Sequence, residues 1–174
     1  MTLRAHPDLP ALRCENVFDA VRAAFTRVSR DGFRLLHFSV QRDHVHLLVE
    51  AENPMALRRG VQGLAIRVAK AINRTLGRRG SVWVDRYHAR MLSTPREVRN
   101  ALVYVLQNFR KHLRGVRGLD PRSSGAWFTG WRAAVVTPPG RSPVVAPRTW
   151  LASTGWRRLG LLGFDEAPRV RLRP

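Results

Sequence analysis

The residues with the clearest chemical potential are two histidines, one residue apart, in the segment QRDHVHLLVE at positions 41–50. Side chains alternate across a β-strand, so His44 and His46 would lie side by side on one face. The opposite face is an apolar stripe suited to a core, formed by Val45, Leu47 and Val49. The histidines therefore occupy a face that this core does not claim. Their spacing suits a two-histidine grip on a metal ion, and it equally suits a pair on a solvated surface.

A tyrosine and an amide lie together on a helix that we predict to begin at Pro95, because TPRE at positions 94–97 is a capping box. Tyr104 and Asn108 are four residues apart and share a face, which points away from the centre of the apolar stripe. Lys111 lies on the same side. Two imidazoles and one amide oxygen form a reasonable three-ligand site for a divalent cation, beside which a tyrosine hydroxyl could attack a phosphate. A tyrosine at the edge of a core is the plainer interpretation.

The charge of the chain indicates a polyanionic partner. It has 31 Lys and Arg against 12 Asp and Glu, a formal net charge of +19, and only Lys70 and Lys111 are lysines. Arginine suits phosphate oxygens and base edges, so nucleic acid is the natural partner. An arginine-rich genome would explain the choice of arginine over lysine, but it would not explain the excess over acids.

Length and composition exclude several classes of protein. With 174 residues and 44% hydrophobic content, the chain suits one domain with an appendage. No run approaches the ~20 apolar residues of a membrane span, and no signal peptide begins the chain, so we expect no membrane partner. A single cysteine, Cys14, excludes an internal disulfide and favours a reducing cytoplasm.

The hydrophobic periodicity predicts an α+β protein. Strands, helices and turns alternate in the order strand, helix, strand, strand, helix, strand, helix. The first six elements predict a ferredoxin-like βαββαβ arrangement, with helices on one face of an antiparallel sheet. The extended segment at 81–92 would be its fourth strand, and the helix from Pro95, ending near His112, is an addition. We predict a domain over 1–117 and a basic tail rich in Gly, Pro and Arg over 118–174.

Three segments resemble a known family in the same order. DHVHLLVE at 43–50 resembles the histidine–hydrophobic–histidine motif of the HUH endonucleases, and ALVYVLQN at 101–108 looks like the catalytic helix of their single-tyrosine transposases. GSVWVDRYHARML at 80–92 resembles a segment of the REP-associated tyrosine transposases. The resemblance covers about 33–130. Members normally have residues ahead of the first strand, whereas this chain begins almost inside it.

The resemblance implies a mechanism and residue roles. Tyr104 would be the nucleophile, His44 and His46 would hold Mg²⁺ or Mn²⁺, and Asn108 would be the third ligand. The family cleaves single-stranded DNA beside a hairpin, forms a 5′-phosphotyrosine and frees a 3′-OH, which yields transposition after rejoining. We expect a bacterial cytoplasmic, nucleoid-associated enzyme whose partner is single-stranded DNA with palindromic repeats, working as a monomer or as a homodimer.

Further residues are candidates for nucleic-acid binding: Arg78, Arg79, Arg86, His88, Arg90 and Lys111. Packing against the sheet is as good an interpretation for His88. Trp83 could stack on a base, but a buried tryptophan is favoured, and His37 is favoured as a structural residue. Arginines of the tail would contact DNA phosphates or lie on a solvated surface.

Other functions fit the sequence less well. HVHLLV is close to the pattern of histidine-triad nucleotide hydrolases, but Leu48 stands where the third histidine should be. RNA-recognition domains share the ferredoxin-like sheet, yet they present aromatic residues where this chain has histidines. A domesticated transposase that binds nucleic acid without cleaving it remains the main alternative.

Overall fold

The computed structural model describes residues 1–30, 32–85, 87–111 and 118–167, with Lys111 described by its backbone alone. The larger elements are β1 (Thr2–Arg4), α1 (Glu15–Phe25), β2 (Phe33–Val40), β3 (His44–Ala51), α2 (Pro54–Thr75) and α3 (Pro95–Gln107). A 3-10 turn, Asn108–Lys111, follows α3, and the tail contains 3-10 turns at Gly125–Trp127 and Gly155–Leu159 around the short helix α4 (Trp150–Ser153). No helix in these ranges is both long and apolar enough to cross a membrane.

The predicted helix starts of α2 and α3 are confirmed by their caps. The side chain of Asn53 accepts a hydrogen bond from the Ala56 amide, and that of Thr94 accepts one from the Glu97 amide. The Glu97 carboxylate in turn accepts from the Thr94 hydroxyl and from the backbone amide of Ser93, so the return bond of the capping box is made one residue before the N-cap. Regular α-helical geometry in α3 ends at Gln107, several residues before the predicted end at His112, which lies outside the described residues.

The sheet has three antiparallel strands in the order β1-β3-β2, so β3 is central. The expected fourth strand at 81–92 is not a regular strand, and this part of the prediction is wrong. Two isolated antiparallel bridges, Thr2 with His88 and Ala5 with Trp83, attach the segment to the outer edge of β1. Between these bridges the segment advances five positions while β1 and its following residue advance three. The extra residues interrupt the ladder, as in a β-bulge.

Two apolar cores lie on the two faces of this sheet. The first core joins α1 and α2 to residues such as Phe38, Val45 and Leu47. The second core joins Leu36 and Leu48 of the sheet to α3 and to the tail, through Val98, Leu102, Val103, Leu106, Phe128, Trp131, Trp156 and Leu162. The added helix α3 therefore packs on the face opposite α1 and α2.

The described part of the tail, 118–167, packs on the sheet and on α3. Its backbone runs along the outer edge of β2, where the Val40 amide donates to the Arg122 carbonyl and the Ser124 amide donates to Phe38. Asp120, whose side chain is fully buried, accepts two hydrogen bonds from the Arg13 guanidinium at 2.8 and 2.9 Å. The domain boundary after residue 117 stays a prediction.

Two further carboxylates attach the tail. Glu50 of β3 accepts hydrogen bonds from the Arg148 and Thr149 amides, both at 2.8 Å, at the start of α4. Glu166 pairs with Arg99 of α3 at 2.8 Å. Because Glu50 and His46 share a face of β3, the tail and the histidine pair lie on the same side of the sheet.

Candidate active site

The two histidines of the central strand lie side by side, as the alternation predicts. Their Nε2 atoms are 3.0 Å apart, and their rings are 4.5 Å apart at an angle of 73°. The prediction that no core claims this face is wrong, because Leu48 belongs to the second core and His46 is only 4% exposed. The cause is the packing of α3 and the tail on a face that the strand sequence alone leaves open. His44 is less buried, with 20% of its side chain exposed.

The outer nitrogen of each imidazole has a partner of its own. His44 Nδ1 lies 2.7 Å from Asp43 Oδ1, and His46 Nδ1 lies 3.0 Å from the hydroxyl oxygen of Thr2. The hydrogen bond with His44 lowers the pKa of the Asp43 carboxyl, which keeps it ionised as an acceptor. Sequence reasoning missed both partners. Asp43 could have been noticed beside His44, whereas Thr2 meets His46 only through the pairing of β1 with β3.

Tyr104 reaches the histidine pair from α3. Its ring lies 4.8 Å from the ring of His46 at an angle of 68°, and the residue is 38% exposed. The apolar stripe of α3 faces the sheet, so Tyr104 projects beside that stripe onto the histidine side, where one edge remains open to solvent. Partial burial raises the pKa of the Tyr104 phenol, so the group holds its proton at neutral pH.

Asn108 lies one turn after Tyr104, where α3 gives way to the 3-10 turn. The residue is 2% exposed, and its role as a metal ligand stays a prediction. Gln107, which sequence reasoning missed, is fully buried; it donates to the Gly163 carbonyl and accepts from Arg110. The bond to Gly163 joins the end of α3 to the tail.

The part of the chain that the structure describes holds no group of three or more His, Cys, Asp or Glu residues placed to bind a metal ion. A cation at His44 and His46 would therefore take further ligands from an amide, from water or from substrate oxygens, which is the usual situation for Mg²⁺.

The predicted nucleic-acid contacts lie in different environments. Arg79 and His88 are exposed, whereas Arg78 is half-buried and donates to the Ser81 carbonyl at 3.4 Å. Arg90 pairs with Glu97 at the start of α3. Arg86 and the side chain of Lys111 lie outside the described residues. The roles of all six in DNA binding stay predictions.

Trp83 and His37, for which the sequence favours a structural role, both make contacts inside the protein. The Trp83 indole N–H donates to the Ala65 carbonyl of α2 at 2.9 Å, and its ring packs on the first core. His37 is in van der Waals contact with Phe128, edge to face, and its Nδ1 lies 3.1 Å from Ser124 Oγ. Burial lowers the pKa of His37 to about 3, so this imidazole is neutral in the folded protein.

A comparison with protein families decides the class of protein. The family model described as "Transposase IS200 like" matches residues 14–108, more than half of the chain. The chain belongs to the IS200-like transposase family. The match includes His44, His46, Tyr104 and Asn108, so the histidine pair and the tyrosine lie within the part of the transposase that the family shares. No curated protein and no solved structure matches the chain.

Membership of this family gives the site a chemical purpose. A transposase must break and rejoin DNA strands, and both steps are transfers of a phosphoryl group between oxygens. In this IS200-like transposase the ring of Tyr104 lies against the ring of His46, next to the histidine pair.

Proposed function

We propose that this transposase is a site-specific single-stranded DNA endonuclease and strand transferase of the HUH, REP-associated type. Tyr104 is its nucleophile, and His44 and His46 hold Mg²⁺ or Mn²⁺ with Asn108 as a further ligand. The observation that carries the proposal is the contact of the Tyr104 ring with His46, whose Nε2 lies 3.0 Å from that of His44. The nucleophile and the candidate ligands thus come together from two separate segments.

The histidine pair fits a divalent cation. Two nitrogens that each lie about 2.1 Å from one ion, at the right angle of octahedral coordination, would be about 3 Å apart. The observed separation of the Nε2 atoms is 3.0 Å. Neutral imidazole nitrogens suit Mn²⁺ and related ions, and oxygen ligands from an amide and from phosphate suit Mg²⁺. When bound, the ion would polarise a phosphoryl oxygen and stabilise the charge that develops on it.

The proposed reaction is a transesterification. Tyr104 Oη forms a bond to the phosphorus and loses its proton, while the bond from phosphorus to the 3′ oxygen breaks and that oxygen leaves as a 3′-OH after taking up a proton. The product is a 5′-phosphotyrosine, and attack by a different 3′-OH reverses the step and joins new ends. Because partial burial raises the pKa of Tyr104, the phenol carries its proton at neutral pH, and the proton that it loses passes to solvent, from which the leaving 3′ oxygen takes up its own.

The proposed substrate is single-stranded DNA beside a hairpin. The net charge of +19 supports a polyanionic partner, and Arg79 and His88 are exposed, Arg79 in the loop after α2 and His88 in the segment that bridges to β1. Because Tyr104 contacts His46 of its own chain, we propose that catalysis occurs in cis, within a monomer. A homodimer that exchanges α3 is the alternative arrangement.

The test is formation of a covalent adduct. Hairpin DNA labelled on the 3′ side of the cut is incubated with the protein and Mn²⁺ and then run on a denaturing gel. Wild type and the control Tyr87→Phe should give a slowly migrating species, and Tyr104→Phe should give none while binding DNA normally. A wild type that binds DNA without ever forming an adduct would instead identify a non-catalytic binding protein.

A further inference from the structure

The residues around the outer nitrogens of the two histidines extend the site beyond its proposed ligands. His44 Nδ1 is 2.7 Å from Asp43 Oδ1, and His46 Nδ1 is 3.0 Å from Thr2 Oγ1. Each imidazole therefore has an oxygen partner on one nitrogen and faces its neighbour with the other. A histidine that binds a metal usually donates its second N–H to such an oxygen, which fixes the tautomer and the orientation of the ring.

We propose that Thr2 and Asp43 are positioning residues that hold His46 and His44 with Nδ1–H outward, so that both Nε2 atoms present lone pairs to one shared cation. This inference rests on the proposed function and extends it to two residues outside the proposed nucleophile and ligands. Asp43 Oδ1 accepts from His44, and Thr2 Oγ1 accepts from His46. Without these acceptors either ring could place its proton on Nε2, which would exclude a metal from that nitrogen.

Thr2 is well placed for this role because the backbone holds it on both sides. In the β1–β3 ladder it is the direct partner of His46. On its other side its amide donates to the His88 carbonyl at 2.9 Å, and its carbonyl accepts from the His88 amide at 3.3 Å. Beside it, the Leu47 amide donates to the Met1 carbonyl at 2.9 Å, which holds the preceding residue against β3. The hydroxyl of Thr2 is therefore part of a rigid frame.

Asp43 is held by the hairpin that joins β2 to β3. Its carbonyl accepts from the Ala5 amide at 2.7 Å, so the residue is tied to the end of β1 as well. Its side chain is 59% exposed, so replacing it removes the acceptor for His44 without disturbing a core. One short strand, β1, thus orders the partners of both imidazoles.

The first measurement is the affinity of the full-length protein for Mn²⁺ in the absence of DNA. The protein is titrated with Mn²⁺, and the concentration of unbound ion is read from its electron paramagnetic resonance signal. Thr2→Val and Asp43→Ala should each weaken binding by about 10-fold or more, the usual effect of removing such a partner. Thr2→Ser and Asp43→Asn keep an oxygen that accepts the Nδ1–H, and they should restore binding to near the wild-type affinity.

Matched controls separate positioning from general effects of the substitutions. Asp8→Ala removes a carboxylate that lies 3.2 Å from a different histidine, His6, and it should leave the Mn²⁺ affinity unchanged. Thr26→Val removes a hydroxyl that donates to Ala23 at the end of α1, and should do the same. Equal Mn²⁺ affinity in wild type, Thr2→Val and Asp43→Ala would overturn the proposal.

The second measurement reads the tautomers directly, from the ¹⁵N chemical shifts of the imidazole rings in the metal-free protein. His46 should carry its proton on Nδ1 in wild type and in Thr2→Ser, and should lose this preference in Thr2→Val. A His46 protonated on Nε2 in wild type would overturn the proposal. If wild type bound no Mn²⁺, the metal assignment of the proposed function would fail, while the tautomer of His46 would still decide whether Thr2 orients the ring.

Discussion

The ring of Tyr104 on α3 lies 4.8 Å from the ring of His46 on β3. These residues are 58 positions apart, and the second core brings them together because α3 packs through Leu102 and Leu106 on the face of the sheet that carries the histidine. The proposed nucleophile and a proposed ligand therefore belong to one folded unit of one chain.

Catalysis within one chain predicts the result of mixing two inactive variants. Tyr104→Phe and His46→Ala each lack one part of the site, and in a monomer neither can supply the part that the other lacks. We expect a mixture of the two proteins to form no covalent adduct with hairpin DNA. Adduct formation by the mixture, at a substantial fraction of the wild-type yield, would show that chains exchange α3.

Substitution of the two histidines should affect stability unequally. His46 is 4% exposed and contacts the Tyr104 ring, so His46→Ala should lower the free energy of unfolding by roughly 1–3 kcal/mol. His44→Ala should cost less, because its side chain is 20% exposed. Urea unfolding gives both values, and both variants should lose Mn²⁺ binding. Equal stability of the two variants would contradict the burial described for His46.

The tail should be required for folding of the sheet face that carries the histidines. Trp156 is 1% exposed in the second core, so Trp156→Ala should lower the free energy of unfolding by about 3–5 kcal/mol. Trp150→Ala is a control, since that tryptophan is 50% exposed and should matter much less. A change below ~1 kcal/mol for Trp156→Ala in urea unfolding would mean that the tail is dispensable for the fold.

His37 should make the protein sensitive to acid. Its pKa is lowered to about 3 from 6.5, so between these values the unfolded chain binds a proton that the folded chain does not. The free energy of unfolding should therefore decrease as the pH falls from 6.5 towards 3, by up to about 1.4 kcal/mol per pH unit from this group.

The control variant for this effect is His37→Asn, which keeps an oxygen near Ser124 Oγ and cannot titrate in this range. Its free energy of unfolding should depend less on pH than that of wild type between pH 6.5 and 3. Parallel curves for wild type and His37→Asn would contradict the burial of a neutral imidazole.

DNA affinity should depend steeply on salt. Each phosphate neutralised in single-stranded DNA contributes about −0.7 to the slope of log affinity against log salt concentration. If Arg79 contacts one phosphate, Arg79→Ala should reduce the slope by about that amount in fluorescence anisotropy titrations. The control is Arg67→Ala in α2, on the face of the sheet opposite α3, which should leave the salt dependence of DNA affinity unchanged. An unchanged slope for Arg79→Ala would remove this residue from the DNA-binding surface.

Local signals predicted most of the fold. The caps at Asn53 and Thr94 determine where α2 and α3 begin, and alternation along β3 correctly places Val45 and Leu47 on one face and the histidines on the other. These features depend on residues within a few positions of one another, so the sequence shows them directly.

Features that depend on distant pairing could not be predicted. Thr2 meets His46 only because β1 pairs with β3 in one register, and no local pattern marks that register. The aromatic residues of the tail, such as Phe128 and Trp156, have no helical or strand periodicity, yet they fill the second core. The sequence of residues 81–92 predicts a strand because it reads as extended chain. Five positions separate Trp83 from His88, however, and only three separate their bridge partners Ala5 and Thr2, so a regular ladder cannot form.

The coverage of the sheet edges bears on how this protein behaves in concentrated solution. An open edge strand offers unpaired backbone groups to other chains and promotes aggregation. Here the segment around Trp83 and His88 bonds to the outer side of β1, and the tail bonds to the outer side of β2 at Phe38 and Val40. Both edges of the sheet are thereby bonded within the protein's own chain, so neither offers a row of unpaired backbone groups to a second molecule.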